Sequence, residues 1–186
     1  MGRVSQAQAE ENRRRVVETA SRLFREQGTQ VSVADLMKAA GLTHGAFYKQ
    51  FASKEALVDE ATAHAFDELA RTRAVGLARY EGQRETAQRA LIDAYLSVEH
   101  RDDPADGCPV AALATDIARE GGGDEARRVY TEGVGDFADF LGGADQDGIV
   151  RLCTLFGALV LSRAAKGSPL SEEILAAAHA ALAETG

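Results

Sequence analysis

The chain has 186 residues, is 45% apolar and 27% charged, and carries a formal net charge of −8. Its apolar content supports a packed core, and three prolines with no Val/Ile-rich runs argue against a β fold. No run of about 18 consecutive apolar residues exists, so no membrane span is expected; the polar residues 1–15 do not form a signal peptide, and two cysteines, Cys108 and Cys153, are too few for a disulfide framework or a cysteine-only zinc site. A cytoplasmic protein with free thiols is the expectation.

Charge is unevenly placed. Residues 1–54 hold nine Lys or Arg against five Asp or Glu, whereas residues 55–186 hold twelve against twenty-four. A basic end on an acidic body suits a protein that touches DNA with one end, although a basic solvated helix face has the same composition.

In chain order, a first helix is expected from Gln8 to Gln27, with Val16, Val17, Ala20, Leu23 and Phe24 as its apolar stripe and Gly28 as its stop. Ser32 then caps a short helix, with Asp35 as its capping-box partner. Val33, Leu36, Met37 and Ala40 share one side, and Gly41 supplies the left-handed exit. Thr43 starts a helix of about two turns, capping it through the hydroxyl. This is the pattern of a helix-turn-helix, whose second helix lies in the DNA major groove. His44 and Lys49 project toward base edges, and the small Gly45 and Ala46 let the helix sit deep, while Phe47 and Phe51 belong to the core.

Ser53 caps a long helix from Lys54 to Tyr80, with Leu57, Ala61, Ala65, Phe66 and Leu69 inward. A helix follows over Glu85 to His100, with Ala90, Leu91, Ala94, Tyr95 and Val98 inward, and residues 101–107 read as a loop. Pro109 opens the next helix, which makes Cys108 its N-cap. That helix ends near Gly121, Gly122 and Gly123, and a helix weakened by Gly133 and Gly135 covers Asp124 to Leu141. The last two helices are expected from Gln146 to Lys166, apolar nearly all round, and from Ser171 to Glu184, capped by Ser171. The fold class is therefore all-α, with about nine helices.

The run Ala39 to Thr43, Gly45 to Tyr48, Phe51 and Ser53 to Leu57 resembles the DNA-binding half of TetR-family transcriptional regulators, as do Arg14, Ala20, Leu23, Phe24 and Gly28 upstream. The resemblance covers about the first third of the chain and is specific, because many positions agree in order and spacing. It implies a DNA-binding domain over residues 1–54 and a helical effector-binding and dimerisation domain over 55–186. It also implies that Tyr48 and Lys54 grip backbone phosphates, alongside Ser32 and Thr43, and that the last two helices form a dimeric four-helix bundle. Leu152, Leu155, Phe156 and Leu159 are the interface candidates, with Gly157 and Ala158 allowing close approach. The implied protein is a regulator, in most cases a repressor, that binds a palindromic operator as a homodimer and is released by a small apolar or electrophilic effector. It is not an enzyme, and no cofactor is expected.

Two readings of Cys108 stand side by side. A thiol at a helix N-terminus has its pKa lowered by the helix, which outweighs the screened Asp102, Asp103 and Asp106, and it would be the more reactive cysteine; some TetR-family members sense oxidants in this region. Alternatively it is a small buried hydrophobe, as Cys153 is expected to be. Phe66, Tyr95, Tyr130, Phe137 and Phe140 either line an effector pocket or fill the core, and His64 and His100 face it or the surface. His44, His64, His100 and His179 are too scattered for a metal site. Arg13 and Arg14 read either as a source of nonspecific attraction to DNA or as a solvated arm. A constitutive DNA-binding protein without an effector is the rival that the absence of a pocket would favour; a thiol enzyme lacks any recognisable partner for Cys108.

Overall fold

The structure, a computed structural model, describes residues 6–119, 123–143 and 147–184. These form nine α-helices and one 3₁₀ helix and no β-sheet: α1 (Gln6–Gln27), α2 (Val33–Ala39), the 3₁₀ helix (His44–Lys49), α3 (Lys54–Arg79), α4 (Arg84–Tyr95), α5 (Val98–Asp102), α6 (Pro109–Ala118), α7 (Asp124–Leu141), α8 (Gly148–Ala164) and α9 (Pro169–Glu184). None of the described helices is long and apolar enough to cross a membrane.

Two apolar cores organise these helices. The first joins Val16, Ala20 and Phe24 of α1 to Leu36 and Met37 of α2 and to Phe47 and Phe51. It continues past residue 54, drawing in Leu57, Val58 and Ala61 of α3, Leu113 and Ile117 of α6, and Ala126 of α7. The second core lies among α3, α4, α6, α7, α8 and α9, around Phe137, Leu141, Leu155 and Leu159. Helix α3 is 26 residues long and contributes to both, so the two cores share one rod.

Local signals set most helix ends. The α2 exit is a Schellman motif: the Leu42 N–H donates to the Met37 carbonyl at 2.8 Å and the Gly41 N–H to the Lys38 carbonyl at 3.0 Å. Gly41 sits at φ +70°, a conformation that disfavours any side chain. At the head of α3 the Ser53 hydroxyl accepts from the Ala56 N–H at 3.0 Å. On α3, Asp59 accepts from the N–H groups of Gly123 and Ala126 at 3.2 and 3.1 Å, and so caps α7 from another helix.

Four boundaries differ from the sequence expectation. The helix expected over Glu85 to His100 breaks at Ser97, whose hydroxyl donates to the Ala94 carbonyl at 2.8 Å and accepts from the His100 N–H at 3.1 Å. Serine competes with the ladder in this way, so a new helix, α5, occupies part of the expected loop. The 3₁₀ helix replaces the expected α-helical turns, and Thr43 makes no side-chain cap. Helix α9 starts at Pro169, with the Ser168 hydroxyl accepting from Leu170; Ser171 is buried, donating to the Ser162 carbonyl at 2.7 Å. Helix α8 opens at Gly148, where Asp147 caps the Ile149 N–H at 2.9 Å. The expected breaker Gly121 and Gly122 and the expected first residue Gln146 lie outside the described residues.

Gly133 does not simply weaken α7. A Cβ built there would stand 2.1 Å from Cδ1 of Phe66, so α3 and α7 pack ring against backbone at this point. Gly133→Ala gains about 1 kcal/mol of helix propensity but overpacks the core at a cost of about 1–3 kcal/mol. Because the clash is with a buried ring, the steric cost should win. The urea midpoint should fall with an unchanged m-value; a midpoint that rises would show that Phe66 relaxes freely.

Candidate nucleic-acid interface and effector cavity

The 3₁₀ helix presents one polar face and one apolar face. Phe47 is fully buried and stacks on Phe51, with ring centroids 5.4 Å apart. This leaves Thr43, His44, Gly45, Tyr48 and Lys49 exposed together, next to exposed Ser32. Tyr48 is 66% exposed and lies edge-on against both Phe47 and His44, which steers its ring outward. The Ser32 hydroxyl accepts from the Asp35 N–H at 3.1 Å and donates to Asp35 Oδ2 at 2.6 Å. That is half of a capping box, with the carboxylate turned onto the hydroxyl; the Ser32 N–H is not engaged. Lys54 is half-buried, and burial pulls its ammonium below the ordinary lysine range against the opposing pull of Asp116.

Arg13 is no free arm. Its guanidinium donates to the Gln50 carbonyl and to Glu60, and sits 4.4 Å over the Phe51 ring. It therefore ties α1 to both the end of the 3₁₀ helix and α3. The signal was present in sequence, since Arg13 lies three and four residues before Val16 and Val17 on the buried stripe. Arg14 stays on the surface, paired with Glu11 and Glu18.

Behind this head, α3, α4, the α5 region and α7 line a cavity of about 820 Å³ that opens to solvent. Of the expected pocket residues, Tyr95, Phe137, Phe140, His100 and Cys108 line it. Phe66 and Tyr130 do not: they are core, packed edge-to-face at 5.7 Å, and the Tyr130 hydroxyl donates to the Val110 carbonyl at 2.9 Å. Burial pushes that phenol up to about 12. Nor does His64 line it; it sits 3.5 Å from Glu68 on the next turn of α3. Ala90, Leu91 and Ala94 do turn toward the cavity, which leaves Val98 exposed and gives the packed face of α4 to Ala87, Ile92 and Leu96.

Cys108 corrects the accessible-thiol expectation. It holds the N-cap position of α6 but is only 4% exposed and makes no side-chain cap. Burial pushes its thiol above the ordinary value, outweighing the lowering contributions of Tyr95 and of the Val110 and Ala111 N–H groups. The other cysteine, Cys153, is the exposed one in the single chain, not an inert packing residue.

The interface candidates are redistributed as well. Leu152, Leu155 and Leu159 point into the protomer's own core, and Phe156 is half-buried. The outward strip of α8 is instead Ile149, Val150, Cys153, Val160 and Leu161, with Ile149 64% and Leu161 58% exposed. An all-round apolar sequence cannot tell which side faces α7 and α9; contacts with those helices decide it. Among the described residues no group of three or more metal-ligating side chains occurs.

An exposed polar face on the second element, clamped by a packed three-helix core, is the arrangement of the helix-turn-helix class, whose second element enters the DNA major groove. Residues 16–61 match the family model described as bacterial regulatory proteins, tetR family, a match confined to the helix-turn-helix end of the chain. The HTH-type transcriptional regulator AcrR of Shigella flexneri is 39% identical over 61 residues, which are 32% of this chain and 28% of AcrR. The whole chain has the fold of solved relatives. The reduced form of NemR from E. coli superposes with a TM-score of 0.78 at 19% identity, over 94% of this chain and 96% of NemR. A TetR-family regulator from Agrobacterium tumefaciens gives 0.77 at 19% identity, over 95% and 98%. AibR, solved with isovaleryl coenzyme A and operator DNA, gives 0.63 at 18% identity, over 91% and 97%.

His100 provides a pH test of the cavity wall. Burial pulls its imidazole below its ordinary 6.5, more than the bond to the Tyr95 carbonyl raises it. The 2.8 Å contact with that carbonyl requires Nδ1 to carry the proton. As pH falls through about 6.5 the unfolded chain takes up a proton that the folded chain refuses. The contribution to stability is complete above the unfolded value and is lost as pH falls toward the folded one. Urea melts at about pH 7.5 and pH 5 should show a smaller drop for His100→Gln than for wild type; equal drops would remove His100 from the titration.

Proposed function

We propose that this protein is a cytoplasmic, homodimeric transcriptional repressor that binds a palindromic operator and is released by a small molecule held in the cavity. The observation that carries this reading is the exposed set Thr43, His44, Tyr48 and Lys49 on a tetR-family helix-turn-helix. In it, Ser32, Thr43, Tyr48 and Lys54 hold phosphates, the small Gly45 lets the helix approach, and His44 and Lys49 read base edges. The Thr43 hydroxyl supports this role, because it makes no cap bond among the described residues. Residues 1–54 act as the reading head and residues 55–186 as the sensing and dimerising body.

Two features support the dimer and the switch. The apolar strip Ile149, Val150, Cys153, Val160 and Leu161 is a surface that a second copy's α8 would cover, giving the two heads that a palindromic site requires. Helix α6 connects cavity and head: Cys108 and Pro109 line the cavity at its start, while near its end Asp116 accepts the Thr29 N–H at 2.7 Å. An occupant that displaces the start of α6 shifts Asp116 and with it the α1–α2 corner. The cavity itself weighs against a constitutive binder. AibR, captured with both a ligand and operator DNA, supports the same scheme.

A second reading, that the trigger is covalent, rests on Cys108 lining this cavity beside Tyr95. An electrophile small enough to enter would meet the thiol there. An adduct at Cys108 that lowers operator affinity, with the response absent in Cys108→Ser, would establish it. An adduct without effect on DNA binding would reduce Cys108 to a packing residue.

The DNA assignment makes separable predictions. Lys54→Ala and Tyr48→Phe should weaken all sequences alike, and Lys54→Ala should reduce the salt slope by about one unit. Lys49→Ala should lose about 1–3 kcal/mol of discrimination at one base pair. Gel shifts across salt and operator variants measure both; unchanged affinity in the Lys49→Ala, Lys54→Ala double variant would sink the assignment.

For assembly, sedimentation of the wild type should give a dimer at micromolar concentration. Val150→Arg or Leu161→Glu should yield folded monomers that bind operator weakly. Leu159→Arg should instead unfold the chain, since it places an unpaired charge in the protomer core at a cost of several kcal/mol. A monomeric wild type would refute the two-head mechanism.

A further inference from the structure

One cation on the cavity wall has no hydrogen-bond or ion-pair partner among the described residues. Three arginines line the cavity: Arg25, Arg73 and Arg79. Arg25 is fully engaged, donating to Glu68 at 2.9 Å and to the carbonyls of Ser21 and Gly107 at 3.2 and 3.3 Å. Arg79 is exposed and lies 6.0 Å over the Tyr80 ring. Arg73 is half-buried and forms no hydrogen bond or ion pair among the described residues, and its Nη1 is fully buried without a partner. Its guanidinium rests 5.3 Å from the centroid of Phe137, a ring that itself lies 6.3 Å from Tyr95.

Tyr95 gives the second, independent signal. It is 6% exposed, lines the same cavity, and its buried hydroxyl meets no oxygen or nitrogen partner among the described residues, its one polar neighbour being the weakly bonding Cys108 thiol. Each unmet buried donor costs free energy, and a guanidinium can only donate. Phe137 neighbours both Arg73 and Tyr95, and all three line a cavity whose walls also include Leu69, Leu91 and Phe140.

The acids around the cavity do not fill this gap. Glu68 is held by Arg25, and Asp106 by Arg22; the Asp103 carboxylate accepts the Asp106 N–H at 3.3 Å. Glu99 lies on exposed backbone at the rim, and Asp136 attracts Arg73 but stands beyond ion-pair distance.

We propose that the cavity takes an amphipathic organic anion, a carboxylate on an apolar body, with Arg73 binding the oxyanion and the Tyr95 hydroxyl donating to the ligand. This rests on the reading of the cavity as the effector site and names the chemical class that the site selects. A planar guanidinium over an aromatic ring offers two parallel N–H groups to a carboxylate, a match no neutral amide reproduces. The apolar wall takes the body of the ligand, and the volume accommodates a molecule of drug-like size.

The test uses the full-length protein and the neutral fluorogenic reporter N-phenyl-1-naphthylamine. Phenylalkanoates of increasing chain length and their matched primary amides compete for the reporter. The acids should displace it at least about tenfold more tightly than the amides in the wild type, the scale of a charge-assisted bond. Arg73→Gln should erase that preference, with acids and amides compared at each variant's own reporter affinity, Arg73→Lys should retain part of it, and Tyr95→Phe should weaken the acids several-fold. Thermal melts establish that each variant is folded; if Arg73→Gln is not, the wild-type acid-to-amide ratio and Arg73→Lys decide the matter. Equal competition by acids and amides, or an acid preference that survives Arg73→Gln, overturns the inference and leaves the cavity as an effector site for neutral ligands. Failure of the reporter and of every competitor to bind overturns the effector reading itself, and this inference with it.

Discussion

The structure depends on one helix being shared by two cores. Helix α3, 26 residues at about 1.5 Å rise each, is a rod of about 39 Å. Its first two turns place Leu57, Val58 and Ala61 in the head core, and further along it Phe66 enters the body core. A rigid rod whose N-terminal half, Leu57 to Phe66, is buried in both cores moves the two together. That constraint makes the small head-core contacts functionally consequential: Arg13 clasping Gln50 and Glu60, Ser53 capping the rod, and Asp59 capping α7 from its side. The polar face of the 3₁₀ helix is therefore held by a lattice of contacts that reaches well into the body.

The second link between the halves is α6. It is only ten residues long, yet one end borders the cavity and the other end packs in the head core through Leu113 and Ile117. Asp116 adds a polar anchor, accepting the Thr29 N–H and attracting Lys54 at the same time. A carboxylate that both orders the α1–α2 corner and influences a proposed phosphate-binding lysine couples two properties of the head through a single side chain. Rearranging α6 is then a local event with two consequences at the DNA face.

Much of this was legible in the order of residues. The helix-turn-helix was readable because its determinants are local: Ser32 and Ser53 as caps, Gly41 as the exit, and apolar residues three and four apart. Arg73 also left a trace, seven residues after Phe66 and four after Leu69, on the face that turns toward the body. What the pattern could not convey was the absence of a partner for it. That absence arises because the carboxylates around it are spoken for by other arginines or stand too far away. The break at Ser97 was equally hidden, since serine in a helix and serine at a cap look alike until the backbone chooses.

The residue order by itself determined the all-α class, the position of the helix-turn-helix, most helix boundaries and the split of charge between head and body. All are set by interactions within about four residues or by bulk composition. Only the tertiary structure decided which side of the apolar α8 faces outward, so that Leu155 and Leu159 went to the core and Val150 and Leu161 to the surface. It also turned Cys108 into a buried cavity wall instead of an exposed thiol, and set the Phe66 ring directly against the Gly133 backbone of α7. These outcomes depend on which helices meet and at what distance, and packing of helices far apart in sequence is not encoded by periodicity along any one of them.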